Sequence, residues 1–430
     1  MAEPGPGASS LWRNRDFRLL LSGQVISFVG DQAQFFALPL IVLAISGSAT
    51  QAGLVTGLGT VSFLLFGLIA GALADRWNRK ATMIWCEAGR ALLVGSVVVA
   101  LATNSLTLPH LYGVAALNGM LSTLFLSANS AALPNVVGRE QLSAALGYSE
   151  TVHNTIRVFG AVAAGALYSL SRVVPFAVNA VSFAVSALSL RLIRRDFQEA
   201  RRTGPRPRLT AEIREGLSWV WHQPVIRFLT LVSAADSVRY GAGYLVIVVL
   251  AQEAGASTVE IGVIFSGAAV GALLGALVSD RVVKRYPLGR IAVTMLWLEA
   301  LGFPLYAIAP DPTTLGLVAA LESLVAPVYM VAISTYRLAI TPDALRGRVS
   351  STESTLTMSA LAVGSALSGT LITALGTERV VLLLSLWMIC LAVLTSTRRA
   401  VRTAPIAALA KPAPRPASGT GDESVVRTGG

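Results

Sequence analysis

Long apolar stretches follow one another along this chain and are separated by short polar breaks. An apolar run of about 18 residues or more is long enough for an α-helix to cross the hydrocarbon core of a bilayer. Twelve such runs predict twelve membrane-spanning helices and an all-α membrane protein. They cover residues 17–45, 52–74, 81–102, 109–133, 147–169, 173–193, 227–251, 258–279, 289–309, 314–339, 350–374 and 378–397.

Acidic positions in and between these runs recur from the first half of the chain to the second. The recurring pairs are Asp31 with Asp236, Asp75 with Asp280, and Glu87 with Glu299, the first two at the same separation of 205 positions. A shared separation indicates two repeated halves, each with six spans, around a central cavity. The expected units are residues 1–16, 17–193, 194–226, 227–397 and 398–430.

The segments outside the two halves have a different composition. The N-terminal ten residues and the tail after Arg398 are rich in Pro, Gly, Ala, Ser or Thr, which predicts disorder. The Arg/Pro-rich residues 201–208 of the linker are expected to be extended. Residues 210–223 then predict an amphipathic helix on the membrane surface or under the bundle. Its expected apolar face consists of Ile213, Leu217, Val220 and Trp221.

Composition agrees with a membrane protein and excludes a soluble one. Of the 430 residues 54% are hydrophobic and 13% are charged, with a mean hydropathy of +0.65. Soluble domains carry about 25% charged residues, and a single soluble core stops growing near about 250–300 residues. The bilayer is therefore the expected partner of most of this surface.

The chain has a net charge of +11, and its Lys and Arg residues follow the predicted membrane topology. Lys and Arg residues concentrate in every second connection, whereas the other connections contain only Arg172 and Arg379. This bias predicts a multi-pass protein of the plasma membrane with both termini in the cytoplasm. It argues against nucleic-acid binding as the reason for the positive charge.

Motifs that carry enzyme chemistry are missing from the sequence. It contains three histidines, no cluster of residues with metal-ligand spacing and no phosphate-binding Gly-x-x-x-x-Gly-Lys loop. Cys86 and Cys390 fall inside predicted spans, where a cysteine packs as a small apolar residue. We therefore expect no cofactor, metal or catalytic activity. Separately, we expect a monomer.

Several charged residues lie deep inside predicted spans. They are Asp31, Arg157, Asp236, Arg239, Glu299 and Glu322. A charge at the bilayer centre costs about 2.5–3.5 kcal/mol even on the most lenient scale, so such residues face the bundle interior or a water-filled cavity. They either hold helices together as ion pairs or carry protons and contact substrate. Glu87 and Arg90, three positions apart, are expected to pair on one helix face.

The loop between the second and third spans carries a recognisable motif. Residues 71–80 read Gly-Ala-Leu-Ala-Asp-Arg-Trp-Asn-Arg-Lys. This resembles the signature of the major facilitator superfamily, Gly-x-Leu-Ala-Asp-Arg-x-Gly-Arg-Lys. Asn78 stands where that family usually has Gly, and we expect it to keep the left-handed geometry of the turn. Within the superfamily the chain resembles bacterial exporters related to macrolide-efflux and enterobactin-export proteins, on Gly30-Asp31 and residues 134–142 and 342–349.

The resemblance implies a secondary transporter that works by alternating access. In that family the first, fourth, seventh and tenth spans line the cavity, so Asp31, Asp236 and Glu322 are expected there. We expect Asp31 to bind and release a proton and Arg157 to be its ion-pair partner. This proton exchange would drive efflux of an amphipathic drug or natural product. The family also implies a cytoplasmic gate. Its residues would be Gly71, Asp75, Arg76, Arg79, Lys80, Asp280 and Arg281.

Two departures from the family pattern leave other functions open. The arginine found in the fourth span of many drug exporters is replaced by Ala115, and the proline of the antiporter motif in the fifth span is absent from residues 160–165. The alternatives are a siderophore exporter, an importer of small metabolites with the same fold, or a membrane scaffold that does not transport. The scaffold is disfavoured because it would have no reason to keep desolvated charges in both halves.

Overall fold

The computed structural model describes residues 11–137, 141–195, 197, 209–342 and 345–402. All regular structure within these residues is helical, so the predicted all-α fold is confirmed. Three segments with a predicted extended or disordered backbone lie outside the described residues. They are the first ten residues, residues 201–208 of the linker, and the part of the tail after Arg402. The prediction of disorder directly after Arg398 was wrong, because Arg399–Arg402 is helical and Val401 is buried.

Six long helices form the first half and follow the predicted spans to within a few residues. They are α1 (Arg15–Ser46), α2 (Ala49–Arg76), α3 (Arg79–Ala102), α4 (Leu108–Val137), α5 (Leu142–Leu170) and α6 (Val174–Leu192). The predicted linker helix is present as α7 (Leu209–His222). It stops before Pro224, which occupies the first turn of the next helix, where a missing amide hydrogen is tolerated.

The second half repeats the first, with two of its spans interrupted. Its helices are α8 (Pro224–Glu253), α9 (Thr258–Arg285), α10 (Leu288–Gly302), α11 (Leu305–Ile308), α12 (Pro312–Ser323), α13 (Val325–Ile340), α14 (Arg346–Leu375), α15 (Thr377–Thr397) and the short α16 (Arg399–Arg402). The predicted ninth and tenth spans are both present, each as one apolar segment with a break in its helix. Pro304 and Pro327 explain the breaks, because proline lacks an amide hydrogen and its ring clashes with the carbonyl four residues earlier.

Eleven segments of the described chain are long and apolar enough to cross a membrane. The interrupted pairs α10–α11 and α12–α13 each count as one of them. The twelfth span is α5, which has 29 residues but carries the polar side chains of His153 and Arg157. The predicted twelve-helix architecture therefore holds.

Short polar side chains determine where several helices begin. Asn14 accepts from the amides of Asp16 and Phe17 at the start of α1. Ser257 forms a capping box with Glu260 at the start of α9. The expectation for Asn78 was wrong, since its backbone is extended (φ −68°) rather than left-handed. Its side chain accepts from the Ala81 amide at 3.0 Å and so caps α3.

The two halves meet closely at one end of the bundle. We call the end at which α1 begins and α15 ends the termini side, and the opposite end the far side. On the far side α2 packs on α14, where a Cβ at Gly53 would lie 2.9 Å from the Ser365 carbonyl oxygen. There α5 packs on α9 in the same way, because a Cβ at Gly165 would lie 2.4 Å from the Thr258 carbonyl oxygen. Glycines let these helix backbones touch, which closes the far side.

The linker helix α7 packs against the start of α14. A Cβ at Gly216 would lie 2.8 Å from the Arg348 carbonyl oxygen, and Val220 is buried beside Val349. Leu217 and Trp221 are exposed on the other side of the helix. The predicted helix therefore contacts the bundle through Val220, whereas Leu217 and Trp221 point away from the bundle, and the membrane-surface contact of this helix stays a prediction.

Candidate functional site

The N-half cluster consists of Asp31, Glu87, Arg90 and Asn118, from α1, α3 and α4. Nη2 of Arg90 donates to both carboxylate oxygens of Asp31 at 2.8 and 2.9 Å, and Nε donates to Asn118 at 3.1 Å. Nη1 lies 3.4 Å from Glu87, as the i, i+3 spacing predicted. The guanidinium carbon also lies 3.9 Å from the centre of the Phe183 ring. Glu87 is fully buried, whereas the Asp31 side chain is 33% exposed.

The C-half cluster consists of Asp236, Arg239, Glu299 and Glu322, from α8, α10 and α12. Nε of Arg239 donates to Asp236 at 2.8 Å, Nη1 donates to Glu322 at 2.5 Å, and Nη2 lies 3.5 Å from Glu299. The Tyr306 hydroxyl donates to the other oxygen of Glu322 at 3.3 Å. Four of the deep charges named from the sequence thus meet in one place.

The two clusters occupy equivalent positions in the repeat but differ in composition. Asp236 repeats Asp31, Glu299 repeats Glu87, and Glu322 comes 204 positions after Asn118. The arginine is supplied by α3 in the first half and by α8 in the second. The N-half cluster therefore has two carboxylates around its arginine, whereas the C-half cluster has three.

The helices around the two clusters also differ. Glu299 lies in the last turn of α10, and Glu322 lies in the last turn of α12. Glu87 lies inside the continuous helix α3, well before its end at Ala102. The interruptions of the second half thus occur next to its two glutamates.

The expected partner of Asp31 was wrong. Its carboxylate is paired with Arg90, and none of the hydrogen bonds or ion pairs among the described residues involves Arg157. Arg157 is exposed near the middle of α5.

Aromatic rings line the closed end of this central space. The rings of Phe35 and Tyr244 lie 4.8 Å apart between centroids, and those of Tyr244 and Phe265 lie 4.7 Å apart. Phe35 is 52% exposed and Tyr240 is 63% exposed, although each is on a helix that packs within its own half. The exposed rings of Phe35 and Tyr240, the exposed guanidinium of Arg157 and the partly exposed Asp31 are therefore the candidates to line the expected central cavity.

The basic residues of the predicted gate are held within the first half. Arg79 donates to the carbonyl oxygens of Ala131 at 2.8 Å and Phe197 at 3.3 Å. Lys80 donates to the carbonyl oxygen of Ile193 at 2.5 Å, at the carboxyl end of α6. Cations at helix carboxyl ends satisfy free carbonyl groups and the helix dipole. These residues fix the α2–α3 loop to α4 and α6.

The other predicted gate residues do not meet in this structure. Asp280 pairs with Lys284 of its own helix at 2.7 Å, and both are exposed. Arg76 and Arg281 are also exposed. Gly71 and Asp75 belong to α2, but the Asp75 side chain lies outside the described residues. The gate role of this group stays a prediction.

Sequence reasoning missed Tyr306 and the role of Arg90 as the centre of its cluster. The separation of 204 positions between Asn118 and Glu322 was a signal that could have placed a third repeated position in both clusters. Nothing in the sequence signalled Tyr306, because its hydrogen bond to Glu322 depends on the break at Pro304 before α11.

Comparison with known proteins decides the family. The family model of the Major Facilitator Superfamily matches residues 20–238 and again residues 234–421, once for each half. The chain belongs to the Major Facilitator Superfamily. It is thus a multi-pass membrane transporter, and the double match agrees with the repeat read from the acidic positions.

Relatives with known names lie in the bacterial efflux branch. The chain is 29% identical over 388 residues to the multidrug efflux pump Tap of Mycolicibacterium fortuitum, which covers 87% of this chain and 93% of the relative. It is 26% identical over 390 residues to the pump of the same name from Mycobacterium tuberculosis, covering 86% and 90%. Among solved structures, a bacterial homologue of the human lysosomal transporter Spinster aligns with a TM-score of 0.72 and 16% identity, covering 91% and 97%.

Proposed function

We propose that this protein is a proton-driven exporter of amphipathic small molecules that acts as a monomer by alternating access, with both termini in the cytoplasm. The C-half cluster carries the proposal, because three carboxylates surround one arginine inside the membrane. The similarity to two pumps named for multidrug efflux supports the direction of transport. A cavity with aromatic walls supports an amphipathic substrate.

Charge balance explains why this cluster would carry a proton. Arg239 supplies one positive charge, so three ionised carboxylates leave the cluster with a net charge of about −2 in a region where each charge is costly. One bound proton removes half of that excess. In the N-half cluster the same arginine charge faces only two carboxylates, and Asp31 is the more exposed of them.

We assign the exchanging proton to Glu322. Its side chain is 12% exposed, whereas that of Glu299 is 3% exposed. Asp236 is held by Arg239 of its own helix at i, i+3. The Tyr306 hydroxyl connects Glu322 toward the far side through α11. Protonation of Glu322 would remove its bond to Arg239 and free the guanidinium to move toward Glu299.

The observed packing fits one state of the cycle. With the far side closed by α2 on α14 and by α5 on α9, and the termini in the cytoplasm, the cavity faces inward. In this state Glu322 loses its proton to the cytoplasm and pairs with Arg239, and substrate enters. After the switch Glu322 takes a proton from outside by way of Tyr306, and substrate leaves.

The predicted gate would act in the opposite state. We propose that closure of the termini side brings Asp75 and Arg76 of α2 toward the start of α14, and Asp280 and Arg281 of α9 toward α5. Arg79 and Lys80 would hold the α2–α3 loop in position rather than cross the gap. Gly71 would allow a close helix approach during that closure.

The proton gradient is sufficient to drive this exchange. Export against a 100-fold gradient requires about 2.7 kcal/mol, since each tenfold ratio is about 1.4 kcal/mol. One charge that crosses about 100 mV supplies about 2.3 kcal/mol, and a pH gradient adds to it.

The test compares Glu322→Gln with Asp31→Asn in proteoliposomes loaded with a fluorescent amphipathic compound. Glutamine mimics the protonated glutamate, so Glu322→Gln is expected to lower uphill transport by about tenfold or more, as loss of the whole electrical drive would. It should retain exchange of labelled for unlabelled compound without a gradient. Asp31→Asn should keep most of both activities.

A protonophore added to the wild type serves as the control for the gradient. If Glu322→Gln transports uphill at the wild-type rate and the protonophore still abolishes this transport, then another carboxylate exchanges the proton. If Asp31→Asn loses uphill transport and keeps exchange, the original expectation from the sequence holds instead.

A further inference from the structure

We propose that the central cavity binds amphipathic molecules that carry an ionised acidic group, with the acid on Arg157 and a ring system against Phe35 and Tyr240. The inference deepens the proposed export function by naming a substrate class. Binding itself requires only the cavity, so it can be tested without transport.

Arg157 differs from the other deep charges in having no partner among the described residues. Each deep carboxylate lies within 3.5 Å of Arg90 or Arg239. Arg157 is exposed and takes part in no hydrogen bond or ion pair of the described chain. A guanidinium near the middle of a membrane span needs water or an anion to offset its desolvation.

Arg157 lies on the face of α5 that points toward α1. Four residues before it on α5, the His153 ring lies 4.5 Å from the Phe28 ring of α1 between centroids. Three residues after it, a Cβ at Gly160 would lie 3.3 Å from Cβ of Gln32, which is also on α1. Arg157 lies between these two contacts along one helix face, so its side chain is on the α1 side of α5.

An aromatic surface lies at a defined height above Arg157. Gly160 is opposite Gln32, and Phe35 follows Gln32 by three residues toward the far side. At about 1.5 Å per residue along both helices, the Phe35 ring lies roughly 9 Å farther along the bundle than Arg157. That distance fits a molecule of two or three fused rings with an acidic group at one end.

The chemistry of the walls favours an acid over a cation. A guanidinium binds a carboxylate through two parallel hydrogen bonds, and the Arg157 donors are available for it. An ammonium group would have to compete with Arg90 or Arg239 for carboxylates that already accept hydrogen bonds from them. The exposed Phe35 ring offers a stacking surface to the apolar end of either kind of molecule.

The experiment measures binding of two dyes to the purified full-length protein in detergent by fluorescence anisotropy. Fluorescein carries a carboxylate and a phenolate on a xanthene ring system, and rhodamine 6G carries an ester and a cationic amine on the same ring system. The wild type is expected to bind fluorescein more tightly. Arg157→Gln should weaken fluorescein binding by about tenfold or more, as loss of a charge-assisted hydrogen bond does, and leave rhodamine 6G within about twofold.

Two further variants separate the acid site from general packing. Arg157→Lys keeps the charge and should retain part of the preference for fluorescein, which also shows that the site is folded. Phe35→Leu should weaken both dyes by a similar factor.

The inference is overturned if the wild type prefers rhodamine 6G, binds neither dye, or if Arg157→Gln changes both affinities equally. Arg157-dependent binding without uphill transport would preserve this inference and contradict the export function. Uphill transport of cationic dyes but not of acidic dyes would contradict this inference and preserve the export function.

Discussion

The two buried charge clusters of this transporter have the same plan and different charge. Both connect the first, third and fourth helices of their half through one arginine. In the first half the fourth helix contributes the neutral Asn118, whereas in the second it contributes Glu322. The two clusters therefore differ in the helix that supplies the arginine and in one acidic position.

The difference separates a structural role from a coupling role. The N-half cluster is held by unbroken helices and has one excess negative charge when fully ionised. The C-half cluster has two, and its glutamates lie next to the breaks in the ninth and tenth spans. We therefore infer that the first half acts as a fixed scaffold around Arg90, and that the second half changes its charge during transport.

Removal of the central arginine should have the largest effect. Arg239→Gln leaves three buried carboxylates without a cation and should destabilise the protein by about 3–5 kcal/mol. Arg90→Gln leaves two, of which Asp31 is partly solvated, and should cost about 1–3 kcal/mol. Melting temperature and monodisperse yield in the same detergent measure both. The addition of Glu322→Gln to Arg239→Gln should recover part of the loss, and equal losses for the two single variants would remove the distinction between the clusters.

Exchange of the fourth-helix residues should have the next largest effect. Glu322→Asn gives the second cluster the composition of the first and should lower uphill transport by about tenfold or more. Asn118→Glu in the same chain moves the third carboxylate to the first half. We expect no recovery, because α3 and α4 lack the interruptions next to Glu299 and Glu322. Recovery in the double variant, measured in proteoliposomes, would mean that carboxylate number alone determines coupling.

The smallest effect is expected from Tyr306→Phe, which removes one hydrogen bond to Glu322 at 3.3 Å. A hydrogen bond to a charged group contributes about 1.5–3 kcal/mol in favourable geometry, and this one is long. Uphill transport should fall by less than about tenfold, and its dependence on external pH should shift while exchange without a gradient stays unchanged. The first half offers Ser27→Ala, next to Glu87, as a matched control that should shift neither.

The membrane architecture was predictable because bilayer thickness fixes the length of each apolar run. Charge distribution and the separation of Asp31 and Asp236 then indicated two halves. The sequence also brought Asp236, Glu299 and Glu322 under consideration as deep charges, since few residues of that kind occur in these spans.

The partner of Asp31 was not predictable from depth alone. Arg90 and Arg157 both lie well inside their spans, and the choice depends on how α3 and α5 are rotated about their axes. Rotation is read from an apolar stripe, and α1, which is apolar on nearly every side, gives no indication of which neighbouring helix Asp31 faces. Pro304 and Pro327 are visible in the sequence as candidate breaks. Their importance for the site could not be predicted, because it depends on Glu299 and Glu322 lying in the turns just before those breaks.

The glycines at the far side also make the protein accessible to conformational trapping. A Cβ at Gly369 would lie 1.9 Å from the Ala49 carbonyl oxygen, and one at Gly57 would lie 2.9 Å from the Ala366 Cβ. Side chains introduced there would act as wedges between α2 and α14, at a distance from every charge discussed above. We expect such a variant to populate the form that is open at the far side, which an antibody fragment raised against that surface could capture for structure determination.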